Sequence, residues 1–172
     1  MAMGTNLSGR WEGFYSQHNR PHPISLELVQ EGDQLSGSMR DRETDRESSV
    51  FEAAMDAGLP PGADEQIVAR LGQMFPDAAA DSIRYVSHLP AESSIEGWVR
   101  GDVVYFLKTY SGTHVGGYRV GERIVGKVIE SHCVHYQGKL AQGGNMIEGR
   151  WWIESEGGQG VARNEGSFEF KR

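Results

Sequence analysis

Cysteine is almost absent from this chain of 172 residues, because Cys133 is the single one it contains. One thiol cannot close an internal disulfide, so the fold does not depend on an oxidising compartment. The first residues hold no apolar run of the secretory type. No segment reaches the roughly 20 apolar residues that a membrane-spanning helix needs. These absences lead us to expect a soluble cytoplasmic protein.

Runs of basic residues are also lacking. Lys and Arg number 17 against 24 Asp and Glu, which gives a formal net charge of -7. Nucleic acids and anionic membranes are recognised mainly through basic patches, so we expect neither as a partner. Hydrophobic residues make up 38% of the chain, and its length suits one domain with a real core.

Glycine, in contrast, is abundant, with 23 residues. Several stand inside segments whose apolar and polar residues alternate, as in strands. Gly37, Gly97 and Gly149 each lie two positions after an aliphatic residue, just beyond a predicted turn. Glycine weakens a strand interior unless the strand must bend or bulge there. This recurrence therefore favours a strongly curved sheet.

About nine to eleven candidate strands follow from the alternation, and short turns join most of them to their neighbours in the chain. Such strands pair antiparallel. The sequence thus predicts a mainly β fold, a single antiparallel up-and-down β-barrel domain spanning residues 1–172. Two facing sheets, a sandwich, are the alternative.

Two helices are predicted within an insertion at about residues 49–76. Ser49 stands three residues before Glu52, the spacing of a capping box, and Gly58 suits the end of the first helix. The second helix is predicted from Asp64 to about Phe75, with one apolar stripe. That stripe either covers a barrel mouth or forms a docking surface.

The segment Gly9-Arg10-Trp11 resembles the Gly-x-Trp start of the calycin group, which covers lipocalins, fatty-acid-binding proteins and avidins. With Gly13 it is also similar to the opening of nitrobindin-type heme barrels. The resemblance implies a small ligand-binding barrel closed at one end by Trp11, with Lys171 or Arg172 packed across that ring.

The chain also departs from each of these families. Its helices follow the third strand, whereas fatty-acid-binding proteins place theirs between the first two. Gly13 stands where avidins carry a polar residue, and no residue matches the axial histidine of the heme barrels. We therefore expect neither biotin nor heme, and no cofactor is predicted.

Candidate ligand contacts are aromatic or polar residues near a predicted mouth or on the late strands. They are Trp11, Tyr105, His114, Tyr118, His135, Arg150 and Trp152. The segment 108–118 combines glycines, hydroxyls and a histidine, which is typical of a binding loop, although a polar connector is the alternative. Whether strand 146–153 turns Arg150 and Trp152 or their neighbours inward remains open.

Our leading hypothesis is non-enzymatic binding of a small, partly apolar ligand in the barrel interior. The first alternative is an interaction or scaffold module with a filled barrel. The second is an enzyme that uses His114, His135 and nearby tyrosines. No catalytic residue is predicted. No metal site is predicted either, because Cys133 and His135 share a strand face but need further ligands from elsewhere.

Overall fold

The computed structural model describes residues 4–17, 19–129, 133–154 and 165–172. The strands are β1 (Gly9–Gln17), β2 (Arg20–Glu31), β3 (Gln34–Asp41), β4 (Asp45–Ser49), β5 (Arg84–His88), β6 (Glu92–Arg100), β7 (Val103–Tyr110), β8 (His114–Val120), β9 (Arg123–Ile129), β10 (Cys133–Ala141), β11 (Met146–Trp152) and β12 (Glu165–Lys171). The helices are α1 (Val50–Asp56) and α2 (Ala63–Met74). The predicted mainly β fold is confirmed.

Eight strands close into a barrel in the order β1-β12-β11-β10-β7-β6-β3-β2. Every neighbouring pair is antiparallel. Each barrel strand pairs with the barrel strands that precede and follow it in the chain, so the barrel is of the predicted up-and-down type. Closure satisfies the backbone hydrogen bonds that an open sheet would leave at its edges.

The barrel interior is filled by the apolar residues that alternate along its strands. Four aromatic rings lie at its centre, and each contacts the other three with centroids 5.0–6.4 Å apart. They belong to Phe106, Tyr136, Phe168 and Phe170, all almost completely buried. An eight-stranded barrel has an interior just wide enough for side chains, which accounts for this packing.

Trp11 closes one end of the barrel. Its ring is fully buried, and its Nε1 donates to the carbonyl of Leu7 at 2.9 Å. The Arg172 guanidinium lies 4.8 Å from the centre of the indole, and it also donates to the carbonyl of Asn6. Of the two basic residues considered for this contact, Arg172 is the one that makes it.

The remaining four strands form a second sheet, in the order β4-β5-β8-β9, which the sequence did not predict. It is built from two insertions. One runs from β4 through both helices to β5, and the other is the β8–β9 hairpin. Both leave the barrel at the end opposite Trp11, which we call the mouth, and the pairing of β5 with β8 joins them.

Two expectations about these insertions are corrected by this arrangement. The segment 108–118 is mostly strand, because β7 runs to Tyr110 and β8 begins at His114. The apolar stripe of α2 packs against the second sheet, where Leu71 is buried beside Val120. Ile67, Val68 and Phe75 pack around Leu71, whereas Met74 at the end of the helix is exposed, so the stripe as a whole is neither a lid on the barrel nor an exposed surface.

The first helix begins as predicted. Ser49 and Glu52 form the capping box, and Gly58 follows the helix with a φ of 67°. Local sequence determines this cap, because the side chains involved are only three residues apart. No described helix is long and apolar enough to cross a bilayer.

The strand glycines lie where neighbouring strands approach too closely for a side chain. A Cβ on Gly149 would lie 2.0 Å from the carbonyl oxygen of Gln137, and one on Gly97 would lie 1.9 Å from that of Tyr105. Neither distance is tolerable between non-bonded atoms. These glycines therefore permit the curvature that closes the barrel.

Replacing Gly149 with Ala is expected to lower the free energy of unfolding by about 2–3 kcal/mol, because the added methyl group overpacks the strand crossing. Gly72→Ala is the matched control, since nothing lies within 4 Å of a Cβ there. In the helix, the same added methyl group should stabilise by about 0.5–1 kcal/mol. Urea unfolding followed by circular dichroism measures both. Similar effects of the two changes would contradict our explanation of the strand glycines.

Candidate functional site

Four ring side chains form a row across the outer face of the barrel, and we call it the aromatic row. Trp98 stacks on Tyr105 with centroids 5.6 Å apart, and Tyr105 lies 6.1 Å from His135. His135 in turn stacks on Trp152 at 5.0 Å, with the planes only 5° apart. The rings come from β6, β7, β10 and β11, which are neighbours in the barrel. Outward residues of neighbouring strands stand side by side, so the four rings form a row.

Hydrogen bonding fixes the middle of the aromatic row. The hydroxyl of Tyr105 lies 2.8 Å from Nδ1 of His135, and the opposite ring nitrogen lies 3.7 Å from the Glu154 carboxylate. Burial raises the pKa of Tyr105, and Glu154 and Cys133 act in the same direction. The phenol therefore stays protonated at neutral pH, and its hydrogen bond with Nδ1 orients the imidazole against Trp152.

Beside Trp152 lies a groove of about 630 Å³ on the outer face, which we call the outer groove. The side chains that line it belong to β7, β10, β11 and β12. They are Val103, Gln137, Lys139, Glu148, Arg150, Trp152 and Glu165, and Gly138, Gly149 and the largely buried Trp151 also line it. This volume lies within the range of about 300–1,000 Å³ typical of small-molecule sites.

The outer groove is balanced in charge. Lys139 and Arg150 contribute two cations, and Glu148 and Glu165 contribute two anions. Arg150 Nη2 lies 3.0 Å from Glu165 Oε1, with both side chains substantially exposed. Such an exposed pair contributes little stability, so these groups are free to exchange partners with a ligand.

The orientation of β11 settles which of its faces is inside. Ile147 and Trp151 are buried in the core, whereas Arg150 and Trp152 point outward. Trp151 Nε1 donates to the Ser16 carbonyl at 3.0 Å, which ties β11 to β1 past Gly166 of the intervening strand β12. Arg150 consequently lies on the surface, and its ion-pair partner is Glu165 on β12.

A second polar group, the mouth cluster, lies where the barrel meets the second sheet. It consists of Asp41, Lys108, Tyr110, Arg46 and Tyr15. The Lys108 ammonium is fully buried and donates to Asp41 Oδ2 at 2.6 Å and to the Tyr110 hydroxyl at 3.1 Å. Arg46 reaches in from β4, with its Cζ 5.4 Å from the centre of the Tyr15 ring.

Desolvation dominates the electrostatics of the mouth cluster. Burial raises the pKa of Asp41 although the Lys108 ammonium opposes the change, and burial lowers the pKa of Arg46. Burial also raises the pKa of the nearby Tyr136 phenol. Asp41 Oδ1 and Arg46 Nε are buried without a hydrogen-bond partner among the described residues. Removing one partner of a buried ion pair is costly, because the other charge is then left buried and uncompensated.

The seven residues predicted from the sequence do not form one site. Tyr105, His135 and Trp152 meet in the aromatic row, and Arg150 lines the groove beside them. The other three lie elsewhere: Trp11 closes the far end of the barrel, His114 begins β8 at the mouth, and Tyr118 packs in the core of the second sheet.

Sequence reasoning missed several groove residues. Gln137 and Lys139 alternate with buried residues along β10, and Glu165 begins β12. The alternation along β10 and β11 indicates which residues point outward. It does not predict the groove, because alternation does not say which strands lie side by side.

Comparisons with protein-family models, with curated proteins and with solved structures gave no match. Within the described ranges, no three His, Cys, Asp or Glu side chains are grouped so that they could hold a metal ion. The chemistry of the site therefore has to be inferred from its geometry.

Breaking the Lys108–Asp41 pair from either side should be severely destabilising. Lys108→Met and Asp41→Asn are each expected to cost about 3–5 kcal/mol, because each leaves the other group buried without its partner. The double variant should lose at least about 1 kcal/mol less than the sum of the two, since the groups interact directly. Urea unfolding of the parent protein, the two single variants and the double variant measures this double-mutant cycle.

An exposed ion pair provides the control for that cycle. Arg10 and Glu12 are 2.6 Å apart and largely solvent-exposed, so Arg10→Gln should change the unfolding free energy by no more than about 1 kcal/mol. Strictly additive losses at Lys108 and Asp41 would show that the buried pair does not act as a unit.

Stability should decrease on acidification through His114. Burial lowers the pKa of this histidine below its usual 6.5, and Arg46 and His88 act in the same direction. Below that value the unfolded chain binds a proton that the folded protein resists, so the free energy of unfolding falls as pH falls. We expect a lower Tm at about pH 5.5 than at about pH 7.5, and a smaller difference in His114→Gln. An unchanged difference in the variant would assign the effect to another group.

Proposed function

We propose that this protein is a non-enzymatic binding protein for a small, partly apolar ligand, and that the ligand occupies the outer groove. The observation that carries the proposal is the groove itself. Its volume of about 630 Å³ is that of a small-molecule site, and the Trp152 indole stands there among hydrogen-bonding side chains of both charges. The indole offers an apolar surface, and the polar groups can fix the orientation of a ligand.

The location differs from the barrel interior expected from the sequence, and packing is the reason. The four central rings contact one another, and Phe106 and Phe170 are fully buried. A ligand in the centre would have to displace these rings and lose their contacts. The outer groove needs no such displacement.

We also propose that the barrel is calycin-like. The closed eight-stranded antiparallel barrel supports this grouping, as does the guanidinium of Arg172 over Trp11 at the closed end. In calycins the ligand lies inside the barrel. A ligand on the outer face would thus be a departure from the group that shares its architecture.

The two other functions have less support. An interaction module that docks through the α2 stripe would need that stripe exposed, yet Leu71 is buried and Ile67 and Phe75 pack around it. An enzyme that uses His114 and His135 together would need them in one site, whereas His114 lies on β8 of the second sheet and His135 on β10 of the barrel.

The test is an NMR titration with three probes that share a benzene ring and differ in charge, namely benzyl alcohol, benzylamine and benzoate, and with methyl glucoside as a neutral polyol. We expect at least one of them to shift the indole N–H signal of Trp152 and the side-chain amide of Gln137. The indole signal of Trp11 should not move, because that ring is buried at the opposite end of the barrel. Shifts confined to the mouth, or no shifts at all, would refute binding in the groove.

Trp152→Ala should abolish those shifts, while Phe14→Ala should leave them intact. Phe14 is the matched control because it is a half-buried aromatic residue on the outer face of β1 and does not line the groove. Dispersed amide spectra of both variants would confirm that they are folded. Equal loss of binding in both would mean that the effect is not specific to the groove.

A further inference from the structure

We propose that the ligand of the outer groove is a neutral carbohydrate whose ring packs on the face of Trp152 opposite His135. This inference rests on the proposed function, because it names the chemical class that the same groove would accept. Three features of the groove carry it: a fixed aromatic face, polar groups suited to hydroxyls, and a balance of charge.

The aromatic face is fixed before any ligand arrives. His135 covers one face of Trp152 at 5.0 Å, and the Tyr105 hydroxyl holds that imidazole in place. Because β10 and β12 flank β11 on opposite sides, the second face of the indole is directed toward β12, where Glu165 is its cross-strand partner. A sugar ring presents C–H groups on its flatter side, and these are attracted to the electron-rich face of an aromatic ring.

The polar groups around Trp152 match pairs of neighbouring hydroxyls. A hydroxyl both donates and accepts hydrogen bonds. The carboxylates of Glu148 and Glu165 accept, the guanidinium of Arg150 donates, and the amide of Gln137 does both. Carboxylates and guanidinium groups can each bind two adjacent polar atoms, which is the spacing that vicinal hydroxyls offer.

The charge balance distinguishes a neutral ligand from a charged one. Two cations and two anions line the groove, so an anionic ligand would meet Glu148 and Glu165, and a cationic ligand would meet Lys139 and Arg150. Like charges brought together at a binding site disfavour the wrong ligand. A neutral polyol meets no such repulsion.

The shape of the groove favours a short oligosaccharide over a single sugar. The groove runs across β7, β10, β11 and β12, from Val103 to Glu165. Four neighbouring strands at roughly 4.8 Å spacing span about 14 Å, which is longer than one sugar ring, so several rings fit side by side.

The test is isothermal titration calorimetry with three neutral trisaccharides, maltotriose, cellotriose and triacetylchitotriose, and with trigalacturonate as the anionic comparison. We expect at least one neutral sugar to bind with a Kd of about 1 mM or tighter, and trigalacturonate to bind at least about tenfold more weakly. Trp152→Ala should weaken the neutral sugar at least about tenfold, whereas Trp152→Phe should weaken it less because a flat ring remains. Phe14→Ala again serves as the control.

A charge variant gives a second, independent readout. The double substitution Glu148→Gln with Glu165→Gln leaves Lys139 and Arg150 uncompensated, so trigalacturonate should then bind more tightly than it does to the parent protein. Failure of all three neutral sugars at about 10 mM would overturn the carbohydrate inference. If a probe such as benzyl alcohol still shifts Trp152, the proposed function survives that failure. If no probe does, both proposals are refuted.

Discussion

Closure of the eight-stranded sheet is the constraint on which the rest of the structure depends. A barrel of this size has an interior just wide enough for side chains, and here four aromatic rings occupy its centre. Strands must curve sharply to close around them, and positions such as Gly149 allow the necessary approach of backbone to backbone. The packed interior is also the reason that the proposed ligand is placed on the outside of the barrel.

The same constraint determines where the chain can add structure. An up-and-down barrel offers insertions only at its two ends, and this chain uses the mouth for both. The inserted strands complete one another, because β5 of the first insertion pairs with β8 of the second. Arg46 then reaches from β4 toward Tyr15 of the barrel, so charged groups become buried at the junction. The Lys108–Asp41 pair belongs to this junction, where the loss of either partner leaves the other buried without a counter-charge.

Local features could be predicted from the sequence, and non-local ones could not. The inward faces of β2 and β3 follow from alternation, and the start of α1 follows from Ser49 and Glu52, because each signal spans only a few residues. The pairing of β5 with β8 joins segments far apart in the chain, and alternation carries no information about it. Lys108 was missed for a related reason: the apolar residues on both faces of β7 hide which of its side chains points inward.

The pair Trp151 and Trp152 shows how closely the core and the candidate site depend on each other. Adjacent side chains of a strand point to opposite faces, so one indole is buried in the barrel and the other borders the outer groove. A slip of one residue in the register of β11 would exchange them and place Arg150 in the core. Two contacts oppose such a slip: the hydrogen bond from Trp151 to Ser16, and the pairing of Gly138 with Gly149, where neither strand tolerates a larger residue. The contacts that close the barrel therefore also hold the aromatic face of Trp152 in position for a ligand.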